Sequence, residues 1–159
     1  MSNSLHMPDD DRCALCDYLS GYRPYTILWR ELRVAVLVTR EQRGVSHLLV
    51  IPRRHVPSLL ELRTSEAGDL MVAVRDAARA ISDVAKSPGI AVWQNNGIPA
   101  NQAVGHLHFH VAGTLPGGGT EFGPVPELPI IETDDIASRL ASGVLPRPSV
   151  VREVRSSKP

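Results

Sequence analysis

Residues 104–113 read VGHLHFHVAG, and no other stretch constrains the fold as much. His106, His108 and His110 take alternate places, with Leu107, Phe109 and Val111 closing the gaps. Successive side chains on a strand point to opposite faces. The stretch therefore predicts a strand with three histidines on one face and an apolar face turned to a core. A solvated face ordinarily carries Thr, Lys, Glu or Ser, whereas here it carries three of the chain's 6 histidines. That concentration points to chemistry. One ion shared by all three is disfavoured, because same-face neighbours lie roughly 7 Å apart along a strand and a zinc–nitrogen bond spans only about 2 Å. The stripe is expected to divide its labour.

The rest of the chain supplies partners for that strand. Residues 25–31, 33–40, 46–52 and 90–96 are rich in β-branched and aromatic side chains and read as strands, the third stopped by Pro52. Between Thr64 and Lys86 the spacing becomes helical, with Leu70, Val74, Ala77, Ala78, Ile81, Val84 and Ala85 on one side. Thr64 or Ser65 is expected to cap its start and Pro88-Gly89 to end it. The order β-β-β-α-β-β predicts an α+β fold, an antiparallel five-stranded sheet with a long helix on one face. Residues 1–11 read as a disordered leader and 12–115 as the folded domain. Residues 116–159 read as a Gly/Pro-rich arm with a short helix at about 133–142, capped by Thr133, and a tail from residue 145.

The 159 residues fit one domain, and 17 basic against 17 acidic residues leave no net field to recruit nucleic acid or an anionic membrane. No apolar run approaches the roughly 18 residues of a membrane span. The N-terminal segment has no apolar stretch like a signal peptide, so a cytoplasmic location is expected. The two cysteines, Cys13 and Cys16, form a C-x-x-C pair, either half of a metal site or a redox pair.

The run from Gln94, QNNGIPANQAVGHLHFHVA, resembles the histidine triad (HIT) family, whose signature alternates three histidines with apolar residues. His106 to Ala112 fits it at every position. Asn95 and Gly97, then Gln102, precede the triad as in that family. His47 opens a strand that ends at Pro52 and leads to His55. The resemblance covers residues 12 to 115. It implies nucleotide hydrolysis at the α-phosphorus through a covalent nucleotidyl-histidine. His108 would be the nucleophile, His47 and His110 would flank the phosphate, and Asn95 and Gln102 would donate to its oxygens. The backbone just after His108 would hold its other ring nitrogen. No catalytic Mg2+ is required by this scheme. The zinc-bearing branch implies a structural zinc on Cys13, Cys16, His55 and His106. A homodimer is also implied.

Three positions depart from the family pattern. Thr39 stands where an acidic residue usually grips the ribose; as the substrate-binding residue at that position its hydroxyl can hydrogen-bond the ribose but lacks a carboxylate's charge. Ala103 replaces a Ser common in the family's phosphoramidases, and Asn101 replaces a frequent Gly. Two alternatives follow from these residues. One is a nucleotidyltransferase sharing the intermediate, though such relatives usually replace the third histidine with Gln. The other is a zinc-stabilised nucleotide-binding or biosynthetic-pathway protein with an altered substrate.

Overall fold

The computed structural model describes residues 4–144 and 151–152. In chain order it contains helix α1 (Ala14–Ser20), strands β1 (Ile27–Arg30), β2 (Val34–Val38) and β3 (Val45–Pro52), and helix α2 (Thr64–Ala80). Strands β4 (Ile90–Gln94) and β5 (Phe109–Gly113), helix α3 (Ile130–Leu140) and a two-residue strand β6 (Val151–Arg152) follow. The antiparallel sheet runs β4-β5-β3-β2-β1-β6. Its first five strands are those expected. β6 falls within the segment read as tail, whose residues 145–150 and 153–159 lie outside the described residues. No helix among the described residues is long and apolar enough to cross a membrane.

Alternation along the strands divides the core in two. Val34, Val36, Val38, Leu48, Val50, Leu107 and Val111 face Leu70, Ala73, Val74, Ala77 and Ile81, and α3 adds Ile136, Ala137 and Leu140 to this side. On the opposite face Ala35, Leu37, Leu49 and Ile51 pack against Leu15 of α1. The histidines lie on that second face.

The helix ends differ from expectation for local reasons. Thr64 is the first helical residue of α2, not its cap. The N-cap is Arg63, whose N–H donates to the Glu66 carboxylate at 3.0 Å. The same carboxylate takes two 2.7 Å bonds from Arg54, tying the helix start to the segment that carries His55. After Ala80 the chain widens into a π-turn, Ile81–Ala85, and Lys86 at φ +53° closes it before Pro88 is reached. α3 starts three residues before Thr133, with Pro129 at its N-cap. Thr133 is inside the helix and buried, its hydroxyl 2.6 Å from Thr26 Oγ1 and 2.9 Å from the Ile130 carbonyl.

Residues 4–11, expected to be a disordered leader, lie along the loop that precedes the triad. The Ile98 N–H donates to the His6 carbonyl at 2.7 Å. A Cβ on Gly97 would come within 3.2 Å of that carbonyl, and one on Gly105 within 3.1 Å of the Pro8 carbonyl.

One irregularity aims a functional side chain. Val45 pairs with Gly113 but Leu48 with Val111, so β3 holds one extra residue, a bulge, around Ser46 at φ +54°. Gly44 beside it is required, because a Cβ there would stand 2.4 Å from the Gly113 carbonyl oxygen. His47 follows directly.

Candidate active site and metal centre

The regular strand β5 begins only at Phe109, so His106 and His108 belong to its lead-in. The Leu107 N–H goes to the Val56 carbonyl at 2.7 Å and the His106 N–H to Val104 at 2.8 Å. Alternation nevertheless persists, with Leu107 in the helix-side core. His108 is 8% exposed, and its Nδ1 lies 2.6 Å from the His106 carbonyl. A carbonyl can only accept, so the proton sits on Nδ1 and Nε2 keeps its lone pair. The holding group is therefore two residues before His108, not just after it. Burial lowers the His108 pKa and keeps the ring neutral.

His110 is the cross-strand partner of Trp93, and the two rings stack at 4.6 Å and 4°. Its Nδ1 lies 3.0 Å from His47 Nε2, and the His108 and His110 rings meet edge-on at 5.0 Å. His47 Nδ1 stands between the Glu41 carbonyl at 3.0 Å and the Arg43 N–H at 3.2 Å. One neighbour accepts and the other donates, so both neutral tautomers of His47 have a partner. Burial, then the nearby Arg43 and His108, pulls the His47 pKa down to about 4. Burial, then His108, His47 and Arg43, pulls His110 to about 2. The pair is neutral at neutral pH.

The other expected residues divide. Gln94 pairs with Phe109 at the end of the ladder, and Asn95 and His108 are the residues just beyond that pair. One Asn95 N–H goes to the Ala100 carbonyl at 2.6 Å, leaving the second amide hydrogen for another acceptor. Gln102, expected to donate to phosphate oxygens, is committed elsewhere. It is buried, its two N–H groups reach the Pro57 and Val104 carbonyls at 2.8 and 2.9 Å, and its Oε1 takes the Gly97 N–H at 2.7 Å. It braces the loop that delivers the triad. Gln102→Ala should therefore cost about 2–4 kcal/mol of stability and lower Tm by about 5–10 °C in thermal unfolding. An unchanged Tm would contradict the bracing role. Asn101 adopts φ +65°, a left-handed position that Gly and Asn accept most readily. Thr39 is buried next to His47, its N–H on the His47 carbonyl at 3.3 Å and its hydroxyl 3.4 Å from Tyr25 OH.

Three contributors escape sequence reading. Gln42 accepts the His47 N–H at 2.8 Å and donates to the His47 carbonyl at 3.0 Å, clamping that residue's backbone. The Arg43 guanidinium is a positive charge that helps lower the pKa values of both His47 and His110. Both lie in a turn with no periodic signal. Trp93 was visible as a strand residue, but only the register shows that it stacks on His110.

At the start of the triad four ligand atoms converge. Cys13, Cys16, His55 and His106 each offer one, all within 4.8 Å of one another. His106 Nδ1 is 3.4 Å from Cys13 Sγ and 3.5 Å from Cys16 Sγ, and His55 Nδ1 is 3.4 Å from Cys16 Sγ. A tetrahedral ion with bonds of about 2.3 Å to sulfur and about 2.0 Å to nitrogen spaces S and N by roughly 3.5 Å, so the set fits. His106 Nε2 donates to the Pro52 carbonyl at 2.9 Å, which turns a bare Nδ1 toward the sulfurs. Burial, then Cys13, pushes the Cys16 thiol up to about 12, so a thiolate there calls for a compensating cation. Cys13 also caps α1, its sulfur taking the Cys16 N–H at 3.3 Å.

Fold and site together define an α+β histidine-stripe protein with a Cys2His2 cluster capable of holding a metal. The chain belongs to the HIT family, and the HIT domain model matches residues 22–116. It is similar to Protein hit of Bacillus subtilis (strain 168), at 31% identity over 115 residues, 72% of this chain and 79% of that one. It is also similar to Adenosine 5'-monophosphoramidase hnt1 of Schizosaccharomyces pombe, at 29% identity over 111 residues, 70% of this chain and 78% of that one. Among solved structures it superposes on a Hit-like protein from Bartonella henselae with a TM-score of 0.77, 22% identity and coverage of 85% of this chain and 98% of that chain. A Zn-bound histidine triad family protein from Mycobacterium smegmatis gives a TM-score of 0.72 at 22% identity, covering 83% of this chain and 92% of that one. At that identity both attest the fold.

Proposed function

We propose that this chain is a nucleotide hydrolase that cleaves at the α-phosphorus of a nucleotide-like substrate through a covalent intermediate on His108. The observation that carries the reading is the bond from His108 Nδ1 to the His106 carbonyl, which leaves Nε2 as a neutral nucleophile. In the first step Nε2 bonds to phosphorus and the bond from phosphorus to the leaving group breaks; the positive charge that forms on the His108 ring balances the departing anion, which takes a hydrogen bond from the neutral His110 ring and its proton from solvent. In the second, water attacks phosphorus, the P–N bond breaks and the nucleotide departs. The His47–His110 pair takes the water's proton, since either tautomer of His47 finds a backbone partner. Two displacements replace one difficult one. Asn95, just beyond the last β4–β5 pair, donates its second amide hydrogen to a phosphate oxygen. The third histidine is present, and this favours water over another acceptor. A relative named as an adenosine 5'-monophosphoramidase supports a nucleotide substrate.

Zinc is the ion we assign to Cys13, Cys16, His55 and His106, from the two sulfurs and two imidazoles in tetrahedral spacing. It would staple α1 and the leader to the lead-in of β5, with no part in the displacement. The same reading carries a homodimer.

A P-chiral phosphorothioate substrate, hydrolysed in water labelled with heavy oxygen so that the product stays chiral at phosphorus, tests the reading. Two in-line displacements retain configuration at phosphorus, whereas direct attack by water inverts it. Retention is expected, and inversion would overturn the intermediate.

The pH dependence has a definite sign. His47 titrates in the fold at about 4, below its ordinary value near 6.5. Acid therefore removes the neutral form only near the lower value. The acid limb of kcat/KM, which reports the free enzyme, should lie nearer pH 4 than pH 6.5. Between those values the unfolded chain binds protons that the native chain refuses, so stability falls as pH drops. An acid limb centred on 6.5, with Tm flat across the window, would contradict both statements.

A further inference from the structure

The Gly/Pro-rich arm after β5 does not trail away, and we propose that it is a substrate-contacting element whose Phe122 stacks on a planar ring of the substrate, with Arg43 as the latch that positions it. The proposal rests on the nucleotide-hydrolase reading and names the side chain that selects the substrate's ring. Phe122 is 92% exposed, the highest value among the exposed large apolar side chains of the described residues. Yet the backbone on either side of it is held. The Glu121 N–H donates to the Arg43 carbonyl at 2.7 Å, and the Arg43 guanidinium donates to the Gly123 carbonyl at 2.6 Å and to that of Glu121 at 3.5 Å. Further along, Arg40 Nε donates to the Leu128 carbonyl at 2.7 Å and its guanidinium pairs with Glu127 at 2.8 Å. Gly118, Gly119 and Gly123 adopt positive φ values of +90°, +68° and +79°, which give the arm its bends. The phenyl ring is thus presented by a fixed segment.

The anchoring turn belongs to the active site. The Arg43 N–H and the Glu41 carbonyl are the two groups that face His47 Nδ1. The charges on this rim, the Arg43 guanidinium and the Glu41 carboxylate, pair at 3.0 Å. One residue therefore holds both the arm and the histidine that flanks the phosphate. An aromatic ring kept in water on a segment tied to the turn that holds His47 has a ready partner in a planar ring of the substrate, because stacking requires only a π-face. That ring is the nucleobase or an aromatic leaving group, and matched substrates separate the two.

The test uses the whole chain and three esters: a nucleoside 5'-monophosphate nitrophenyl ester, an alkyl ester of the same nucleotide, and the nitrophenyl ester of ribose 5-phosphate. Phe122→Ala should lower kcat/KM about tenfold, through KM, on substrates that carry the contacted ring, and by much less on the one that lacks it. Loss confined to the two nucleotide esters identifies the base, and loss confined to the two nitrophenyl esters identifies the leaving group. Phe122→Trp should restore the preference. Arg43→Ala should shrink the ring preference, and adding Phe122→Ala to it should shrink it little further. Equal loss on all three esters, or no loss on any, overturns the proposal. So does a change of oligomeric state in Phe122→Ala with the ring preference intact, since the ring would then serve a second copy. Wild-type turnover with an unaffected Phe122→Ala variant sinks this inference alone. Wild-type inertness toward all three esters sinks it together with the hydrolase reading.

Discussion

Replacing His108 with Ala should reduce kcat by roughly four orders of magnitude or more, with little change in nucleotide affinity. The imidazole does two things that no neighbour can take over. Its Nε2 forms the bond to phosphorus, and its Nδ1–H anchors it to the His106 carbonyl at 2.6 Å, so that the lone pair has one direction. His110 cannot substitute, because its Nδ1 is tied to His47 and its ring is stacked on Trp93. His47 lies on another strand with its own backbone partners. The residual activity should be that of water attacking a phosphorus held by the remaining donors. His110→Ala should be milder, about a hundredfold, and strongest on substrates with poor leaving groups, because it removes a hydrogen-bond donor to the leaving group and not the nucleophile. Steady-state kinetics on leaving groups of graded basicity would separate the two variants. Equal sensitivity of both to leaving-group basicity would contradict the assigned roles.

The second large effect concerns the metal centre. Ser at both Cys13 and Cys16 should cost about 4 kcal/mol and lower Tm by about 10 °C or more, with loss of bound zinc. The physical reason is the weakness of what the ion would hold. α1 is seven residues long, too short to persist alone, and it enters the core mainly through Leu15. Without a cation the site has two half-buried thiols beside one buried imidazole, His106, and one exposed imidazole, His55. Chelation should reproduce the effect in the wild type, and zinc should reverse it. The activity of partly loaded protein should follow the folded fraction, because the ion takes no part in the displacement. A metal-free purified protein whose Tm ignores chelator would overturn the zinc assignment.

Local pattern carried much of this architecture. The stripe at 106–110 and the alternation of Val34, Val36 and Val38 define faces by parity alone, and parity survives errors in strand length. α1 was missed because two turns give no period to read, and its cap is a cysteine sulfur. β5 starts late because Leu107 gives its N–H to Val56 across the fold, a partner no local pattern displays. The placement of residues 4–11 was unreadable for the same reason, since their polar composition says nothing of a bond between His6 and Ile98. Gln102 shows the limit for function. Its position near the triad suggested a phosphate donor, but its main partner, Pro57, lies 45 residues away in sequence. Arg43 had no signature at all, because its role comes from where the arm returns.

The measurement that bears most directly on the central claim is intact mass of the wild-type chain, mixed briefly with a nucleotide substrate and quenched in alkali, where a phosphoramidate survives. The account predicts an added mass of one nucleotidyl group, mapped to His108 and absent from His108→Ala. Steady turnover without any adduct, together with an active His108→Ala variant, would mean that water attacks phosphorus directly and that His108 is not the nucleophile.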